Sequence, residues 1–390
     1  MPNYLNHHIK LHHLHFTEIN ELYISLSLQA FASGLVGIFV PIYLYNLGFS
    51  ISSLAMFFIV TILTNIILYP LTAKAVGWYG PKHIIAISYI LMFFYVIMLY
   101  LLPTNPQALY PAAIMGGIAS VMFWMARHID FATVISARST TSKFSTLLIF
   151  LTIVQALAPL IGGVIATNYG IQYGFLGTCI GLLFAIYPLI KTPEPVVPRK
   201  TEIKIFQTAP IRHMIANFAI NAQGTVAAFQ WPLFIFLVVK TYQDVGVVSS
   251  ASLIIVVVLL HFMGKMDDHG QKSKMLKVGS NFRSLVHISR TFVQSFSAAL
   301  GINLLGDITD TLVSVPYAAR FYGGARRYDI PAYLVDMEIA GGFGKIAPWI
   351  ILIGMNTFLN LQTALIATFL MAALLMPLLR LIEPIQTAEK

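Results

Sequence analysis

Apolar stretches of about 20 residues alternate with short polar gaps along the whole chain. A helix rises 1.5 Å per residue, so a stretch of this length matches the roughly 30 Å hydrocarbon core of a bilayer. Leu, Ile, Phe and Ala follow one another without strict alternation, which favours helices over the strands of a membrane barrel. The pattern therefore predicts an all-α membrane protein that crosses the bilayer many times.

Twelve such spans are predicted, numbered span 1 to span 12 in chain order. The first six are residues 22–44, 51–72, 83–102, 108–131, 144–167 and 173–190. The second six are residues 211–239, 247–263, 274–295, 298–321, 331–354 and 358–380. Span 9 is the weakest prediction, because it contains Lys277, Arg283, His287 and Arg290.

Basic residues are concentrated in every second gap between these spans, that is, on one side of the membrane. All but four of the 24 Lys and Arg residues lie at the termini, or in or beside the gaps after the even-numbered spans; the exceptions are Lys240, Arg283, Arg290 and Lys345. Because positively charged loops stay cytoplasmic, the pattern predicts two cytoplasmic termini and an even number of spans in a plasma (inner) membrane. Without span 9, Arg326 and Arg327 would lie outside, which favours keeping it.

Composition agrees with a membrane location and argues against a nucleic-acid partner. Mean hydropathy is +0.78 and 10% of residues are charged, so the apolar stretches cannot all be buried in a water-soluble core. The net charge of +9 is explained by the loop asymmetry and needs no nucleic acid. The predicted partners are the lipid bilayer, a small-molecule substrate and a proton. Neither a cofactor nor a metal is predicted, and a monomer is expected.

The long gap at 191–210 contains four prolines and divides the chain into two halves. The predicted organisation is a tail at 1–21, a six-helix bundle at 22–190, a cytoplasmic linker at 191–210, a second bundle at 211–381 and a tail at 382–390. A weak repeat relates the halves, since Gly80 matches Gly270 and the pair Ala158-Pro159 matches Ala347-Pro348. Duplicated halves with a site between them are typical of secondary transporters.

Three motifs extend this repeat. The gap at 73–82 reads AKAVGWYGPK, its counterpart at 264–272 reads GKMDDHGQK, and span 5 carries APLIGG at 158–163. In placement and sequence they resemble the loop and helix motifs of the major facilitator superfamily, over essentially the whole chain. The resemblance implies two pseudo-symmetric six-helix bundles that transport a small molecule by alternating access.

The motifs carry two structural hypotheses. The loop motifs are interpreted as a conformational latch in which glycines allow tight turns and carboxylates bind a neighbouring helix end or a basic residue. The span 5 motif predicts a bend and a close helix crossing, because proline removes a hydrogen bond and glycine admits a neighbouring backbone. The residues concerned are Gly80, Lys82, Asp267, Asp268 and Gly270 for the latch, and Pro159, Gly162 and Gly163 for the bend.

Charges inside the bilayer are the sharpest functional clues, because each is costly unless it is paired or wet. Arg283 and Arg290 share a face of span 9, and Asp307 and Asp310 share a face of span 10. Matching their depths at 1.5 Å per residue predicts the pairs Arg283–Asp310 and Arg290–Asp307. The resemblance places span 9 at the periphery and span 10 at the cavity. The arginines are therefore interpreted as structural and the aspartates as pathway residues, while a relay involving all four stays open.

The remaining pathway candidates lie in several spans. In span 11, Glu338 is a candidate. Lys345 follows it by seven residues, which is judged too far for a direct pair, so an acid would have to partner Lys345 through another helix. Gly224 and Pro232 suggest a bent span 7. The other candidate residues for the substrate or proton pathway are Gln29, Asn65, Arg127, Asp130, Gln155, Asn217 and Asn221.

The leading prediction is a secondary active transporter. The chain lacks a nucleotide-binding loop, and carboxylates and histidines lie in the membrane, so proton coupling is expected. Apolar residues with a few acids favour efflux of amphipathic or cationic compounds, and uptake of a sugar or other metabolite is the alternative. A non-transporting scaffold or receptor, or an intramembrane metal-dependent enzyme using Asp267, Asp268 and His269, are the alternatives from other classes.

Overall fold

The computed structural model describes residues 16–134, 141–191, 203, 205–264 and 271–382, and within these ranges the chain is helical without a strand. In the first half, spans 1 to 6 comprise Phe16–Gly34 with Val40–Asn46, then Ile51–Tyr79, Pro81–Leu101, Leu109–Val134, Thr141–Asn168 and Ile171–Lys191. In the second half, spans 7 to 12 comprise Ile211–Thr225 with Trp231–Val239, Tyr242–Ser250 with Leu253–Gly264, Gln271–Ser289, Phe296–Ala325, Ile330–Asn356, and Leu361–Leu375 with Met376–Leu381. The predicted all-α membrane fold is confirmed.

Most of these helices meet the requirements for crossing a bilayer. Among the described residues, ten are long and apolar enough, and span 5 contributes the shorter apolar segment Ile153–Asn168. Span 9 is helical over Gln271–Ser289 but does not reach that apolarity. Its polar residues Arg283, His287 and Arg290 are buried against neighbouring helices, so they are not exposed to lipid.

Several helix ends differ from the predicted boundaries. Span 2 continues past residue 72 to Tyr79, because Ala73 and Val76 extend its buried face. It ends at Gly80, whose φ of 82° is a conformation that glycine adopts without a side-chain penalty. Span 3 starts at the next residue, Pro81, so the two helices are joined by a single residue.

Span 7 is interrupted at its centre by a π-helical turn at Val226–Gln230. Gly224 precedes this turn, and Pro232 lies in the first turn of the helix that follows it, Trp231–Val239. Proline cannot donate the usual helical hydrogen bond, and a π turn is one way for a helix to absorb that loss. The π-helical turn lies between Gly224 and Pro232, the two residues that suggested a bend, and the bend itself stays a prediction.

The two halves contact each other through close helix crossings at one end of the spans. This end lies far from residues 16 and 382 and is called the far side. A Cβ atom on Gly163 of span 5 would lie 2.6 Å from the carbonyl oxygen of Tyr242 in span 8. A Cβ atom on Gly246 would likewise clash with the carbonyl oxygen of Pro159. Gly162 admits the backbone of Leu35 in span 1, and the span 5 helix continues through Pro159. Span 5 thus approaches spans 1 and 8 closely at the glycines of its motif.

The opposite ends of the spans, here called the near side, are also in contact. Tyr69, Ala73 and Met125 of the first half belong to the same buried apolar cluster as Leu334 and Met337 of the second half. Packing on both sides leaves a cavity between the halves at mid-height.

Asp336 fastens the end of the linker to span 11. Its buried carboxylate accepts hydrogen bonds from the backbone N–H groups of Phe206 (2.5 Å), Thr208 (2.8 Å) and Ala209 (2.9 Å). Three backbone donors compensate for the burial of the charge. This acid therefore holds the chain in place where it enters span 7.

Candidate functional site

The cavity between the halves has a volume of about 800 Å³. Its far side is apolar and aromatic, with Phe58, Phe229 and Trp349 in its wall. Phe58 and Trp349 come from opposite halves and stack with their ring centroids 4.3 Å apart and an interplanar angle of 2°. Polar residues gather toward the near side, where the wall includes Asn65, His128, Asn217, Tyr322, Glu338 and Lys345.

Glu338 of span 11 lies at the centre of these polar residues. Tyr69 of span 2 donates to its Oε2 atom over 3.0 Å, and Nε2 of His128 in span 4 lies 3.5 Å from its Oε1 atom. Lys345 Nζ lies 3.7 Å from Oε2. The carboxylate is 5% exposed, and a buried charge is tolerated only when such partners surround it. Two of its three partners belong to the other half of the protein.

His128 links this carboxylate to span 10. Its Nδ1 atom lies 2.7 Å from the hydroxyl oxygen of Tyr322, while Nε2 faces Glu338. The imidazole also stacks on Trp124, with ring centroids 5.7 Å apart. Both ring nitrogens are therefore engaged, each with a residue of the second half. A neutral imidazole in this position donates through one nitrogen and accepts through the other.

The expectation that Lys345 lies beyond the direct reach of Glu338 is wrong. Seven helical residues span about 10.5 Å, but two long side chains on one face can cover this distance. A lysine side chain leans toward the N-terminus of its own helix, which is the direction of Glu338. Gly341 and Gly342 lie between them and have no side chains to obstruct the pair.

The predicted asparagines lie in the cavity wall and are largely satisfied by neighbouring helices. Asn217 accepts from Tyr317 over 2.9 Å and donates to the Met337 carbonyl over 2.6 Å, and Asn221 donates to the Asn217 carbonyl. Asn65, with its amide oriented to satisfy its neighbours, donates to the Gly117 carbonyl over 2.7 Å. The contacts of Asn65 and Asn217 join neighbouring helices, whereas the contact of Asn221 lies within span 7.

Four predicted residues lie beside the cavity or away from it. Gln29 is buried and bonds Ser33, a residue of the cavity wall, over 2.9 Å. The Arg127 guanidinium lies over the rings of Phe123 and Trp124. Among the described lining residues, neither Arg127 nor Asp130 is present, and Gln155 is exposed on span 5.

Between Arg127 and Asp130, the ionisable residue of span 4 that lines the cavity is His128. His128 was not predicted as a pathway residue, and neither were Tyr69 and Lys345. A histidine inside an apolar span was the available signal for His128, whereas Tyr69 carries no signal among many membrane tyrosines.

A second polar cluster lies entirely in the second half. Arg283 Nη2 is 3.4 Å from Asp310 Oδ1, which is the first pair predicted from depth. The same guanidinium donates to the Gly306 carbonyl over 2.5 Å and to Gln223 over 3.2 Å. Gly306 permits this approach, because a Cβ atom there would lie 3.1 Å from Arg283 Nη1. His287 also contacts Gln223, over 3.3 Å.

The second predicted pair, Arg290 with Asp307, makes no direct contact among the described residues, although the two charges interact electrostatically. The Arg290 guanidinium lies over the ring of Trp231 at 4.7 Å and contacts His287 Nδ1 over 3.3 Å. Asp307 instead accepts from Asn303 over 2.9 Å and from the Ser252 hydroxyl. The depth estimate assumed a continuous helix, but span 9 ends at Ser289 and Arg290 begins a 3-10 turn. That turn changes the direction of the side chain.

Part of the proposed latch is described. Gly80 adopts the positive φ expected of a tight turn, and Lys82, 5% exposed, lies in the first turn of span 3. Asp267, Asp268 and Gly270 lie outside the described residues, so the latch stays a prediction. Within the described part of the chain, no group of three or more His, Cys, Asp or Glu residues is placed to hold a metal ion.

Comparisons with known proteins agree on one family. The model of the Major Facilitator Superfamily matches residues 22–382. No curated protein sequence matches the chain significantly. The fold is similar to the human organic anion transporter MFSD10 (TETRAN), with a TM-score of 0.67 and 11% identity over 92% of this chain and 99% of that chain.

Two further solved structures give comparable values. A D-xylose-proton symporter has a TM-score of 0.66 and 13% identity over 92% of this chain and 97% of its own. The nucleoside transporter NupG has a TM-score of 0.66 and 13% identity over 93% of this chain and 98% of its own. At such identities the likeness concerns the fold, and the three cargoes differ.

Proposed function

Because this chain belongs to the major facilitator superfamily and is thus a transporter of small molecules and not an enzyme, we propose that it couples proton movement to the passage of an amphipathic compound through the central cavity. The two bundles, 22–190 and 211–381, rock about this cavity in alternating access. The chain works as a monomer in a plasma (inner) membrane, with both termini in the cytoplasm.

The observation that carries this proposal is the position of Glu338 between the halves. Tyr69 and His128 reach it from the first half, whereas Lys345 shares its helix. Opening the near side requires spans 2 and 4 to move away from span 11, which separates Tyr69 and His128 from the carboxylate. The proton occupancy of a buried carboxylate depends on its charged and hydrogen-bonding partners. A conformational change that exchanges those partners therefore couples to a proton.

The cavity wall favours an amphipathic cargo over a sugar. Recognition of a sugar requires many hydrogen-bonding groups without partners of their own, whereas Phe58, Phe229 and Trp349 form an aromatic far side. Asn217 is already bonded to neighbouring groups. Efflux is the direction that we propose, since amphipathic compounds partition into the membrane and reach such a cavity from the cytoplasmic side.

Flux in proteoliposomes tests the coupling. A compound that stabilises the purified protein in a thermal-shift screen is loaded, and its movement is followed with and without an imposed pH gradient. We expect the gradient to drive accumulation and the compound to accelerate proton movement reported by a pH-sensitive dye. Identical flux with and without the gradient would show facilitated diffusion and refute the coupling. Accumulation in everted membrane vesicles whose lumen is acidified tests efflux, because protons leaving the lumen would drive the cargo into it.

A further inference from the structure

We propose that the cargo is an organic anion, with an acidic group bound by Lys345, a hydrogen-bond acceptor bound by the indole N–H of Trp349, and an apolar body lying against the aromatic far side. This inference rests on the proposed transport through the central cavity. It specifies the charge of the cargo, which the transport proposal leaves undefined.

The ammonium group of Lys345 has more N–H donors than the described protein has acceptors for them. An ammonium group carries three N–H donors, and the acceptor found for Lys345 among the described residues is Glu338 Oε2, at 3.7 Å. The Lys345 side chain is 27% exposed and forms part of the cavity wall. At most one donor is used by this contact, so the others are available to a molecule in the cavity.

Trp349 presents a second unused donor. Its ring forms part of the cavity wall and is fully buried, and its Nε1 atom has no hydrogen-bond partner in the described protein. Buried donors are almost always satisfied, because leaving one without a partner is costly. Because the ring is fully buried in this conformation, a cargo that carries an acceptor would satisfy this donor after the cavity wall rearranges in the loaded state.

The two donors lie on one face of the same helix. Lys345 and Trp349 are four residues apart in span 11, which places their backbone positions about 6 Å apart along its axis. Phe58 stacks on Trp349, and Phe229 packs against Phe58 at 5.0 Å. A molecule held by these donors would thus have its apolar part against aromatic rings and its acidic end toward the near side.

A cationic cargo lacks a comparable partner. Glu338 is the one carboxylate among the described residues of the cavity wall, and it is 5% exposed. Lys345 already balances its charge, and Tyr69 and His128 occupy its remaining directions. Another acid, Asp310, lies on span 10 two turns before the cavity residue Tyr317. It is paired with Arg283. Lys345 and Trp349 thus have N–H groups without a protein acceptor, whereas the Glu338 carboxylate is already surrounded by partners.

Three probes with one aromatic body test the charge preference. They are 2-naphthylacetate, its neutral amide and 2-(2-naphthyl)ethylammonium, each titrated against the full-length protein in detergent by thermal shift and by tryptophan fluorescence. We expect the anion to bind at least about tenfold more tightly than the amide, as expected for a charge-assisted hydrogen bond. The cation should bind most weakly. Tighter binding of the cation, or no binding of the anion at millimolar concentration, would overturn the proposal.

Substitutions assign the effect to the two donors. Lys345→Gln should remove the preference for the anion over the amide, and Lys345→Arg should restore it. Trp349→Phe keeps the aromatic ring but removes the N–H, so it should weaken the anion and the amide to the same extent. Lys240→Gln removes a charge at the exposed end of span 7 and should bind like the unmodified protein. An unchanged preference in Lys345→Gln would refute the role of this lysine.

These measurements use no gradient, so they are independent of the coupling mechanism. Anion binding without gradient-driven flux would leave this inference standing and refute proton coupling. Gradient-driven flux of the cation would support coupling and refute the anionic cargo.

Discussion

Two clusters of charged residues lie inside the membrane, and they differ in which parts of the protein they join. The Glu338 cluster brings together spans 2, 4 and 11, and therefore both halves. The cluster of Arg283 and Asp310 joins spans 7, 9 and 10 within one half. If the halves move as rigid bundles, the first cluster must break and re-form in every cycle, whereas the second can persist unchanged. A buried charged residue can therefore take part in coupling if it lies at the interface between the two moving halves. Burial alone does not distinguish it from a structural charge.

The largest expected effect follows from Glu338→Gln. The amide fills the same volume but cannot exchange a proton, so gradient-driven accumulation should fall by about tenfold or more, within the usual range of coupling between two sites. Substrate exchange without a gradient should persist, because the conformational change itself remains possible. Accumulation and exchange are measured in the same proteoliposomes, and normal gradient-driven accumulation by this variant would refute the role of Glu338.

The second prediction concerns the structural cluster. Arg283→Met leaves Asp310 without its partner and should lower the stability of the protein by about 1–3 kcal/mol, less than for a fully buried pair because the Asp310 side chain is 42% exposed. Thermal unfolding in detergent measures this change. The number of protons moved per substrate should stay the same in Arg283→Met and in Asp310→Asn. A changed stoichiometry in either variant would place this pair in the coupling pathway.

A matched pair of tyrosines sharpens the comparison. Tyr69 donates across the halves to Glu338, whereas Tyr317 donates to Asn217 within the second half. Tyr69→Phe should shift the pH at which transport is half maximal by about half a unit to one unit, equivalent to one hydrogen bond. Tyr317→Phe should leave this pH unchanged while lowering stability. Equal pH profiles for both variants would contradict the special position of Tyr69.

The smallest effect is expected between Arg290 and Asp307. Because the two charges interact electrostatically without a direct contact, a double-mutant cycle with Arg290→Gln and Asp307→Asn should give a small interaction energy of about 0.5 kcal/mol. The matching cycle with Arg283→Gln and Asp310→Asn should exceed that value. Both are measured by thermal unfolding, and a strong coupling of Arg290 to Asp307 would show that they meet in another conformation.

The apolar pattern was sufficient to predict the helices, because a bilayer imposes nearly the same length on each of them. The glycine motifs, not the apolar pattern, pointed to the turn at Gly80 and to the close approach at Gly163, where only glycine fits the conformation or the space. Even span 9, poor in apolar residues, is recovered from the alternation of basic loops. These features depend on local chemistry that is visible in a short window of sequence.

The partners of the site could not be predicted in the same way. The contact of Lys345 with Glu338 depends on how far two flexible side chains extend, and the position of Arg290 depends on a 3-10 turn at the end of span 9. Tyr69 and His128 meet Glu338 only after two halves of the chain, more than 200 residues apart in sequence, have packed together. Such contacts are set by tertiary packing and leave no periodic pattern.

The crossing of spans 5 and 8 has a mechanical consequence. At Gly163 and Gly246 the two halves approach each other main chain to main chain, because neither residue has a side chain to separate the helices. Helices that mesh through side chains must change rotamers before they can shift, but two smooth backbones can roll past each other. In the proposed rocking motion, the halves can therefore rotate against each other at this crossing with little steric resistance. The ion contacts and the aromatic stack would then provide most of the resistance.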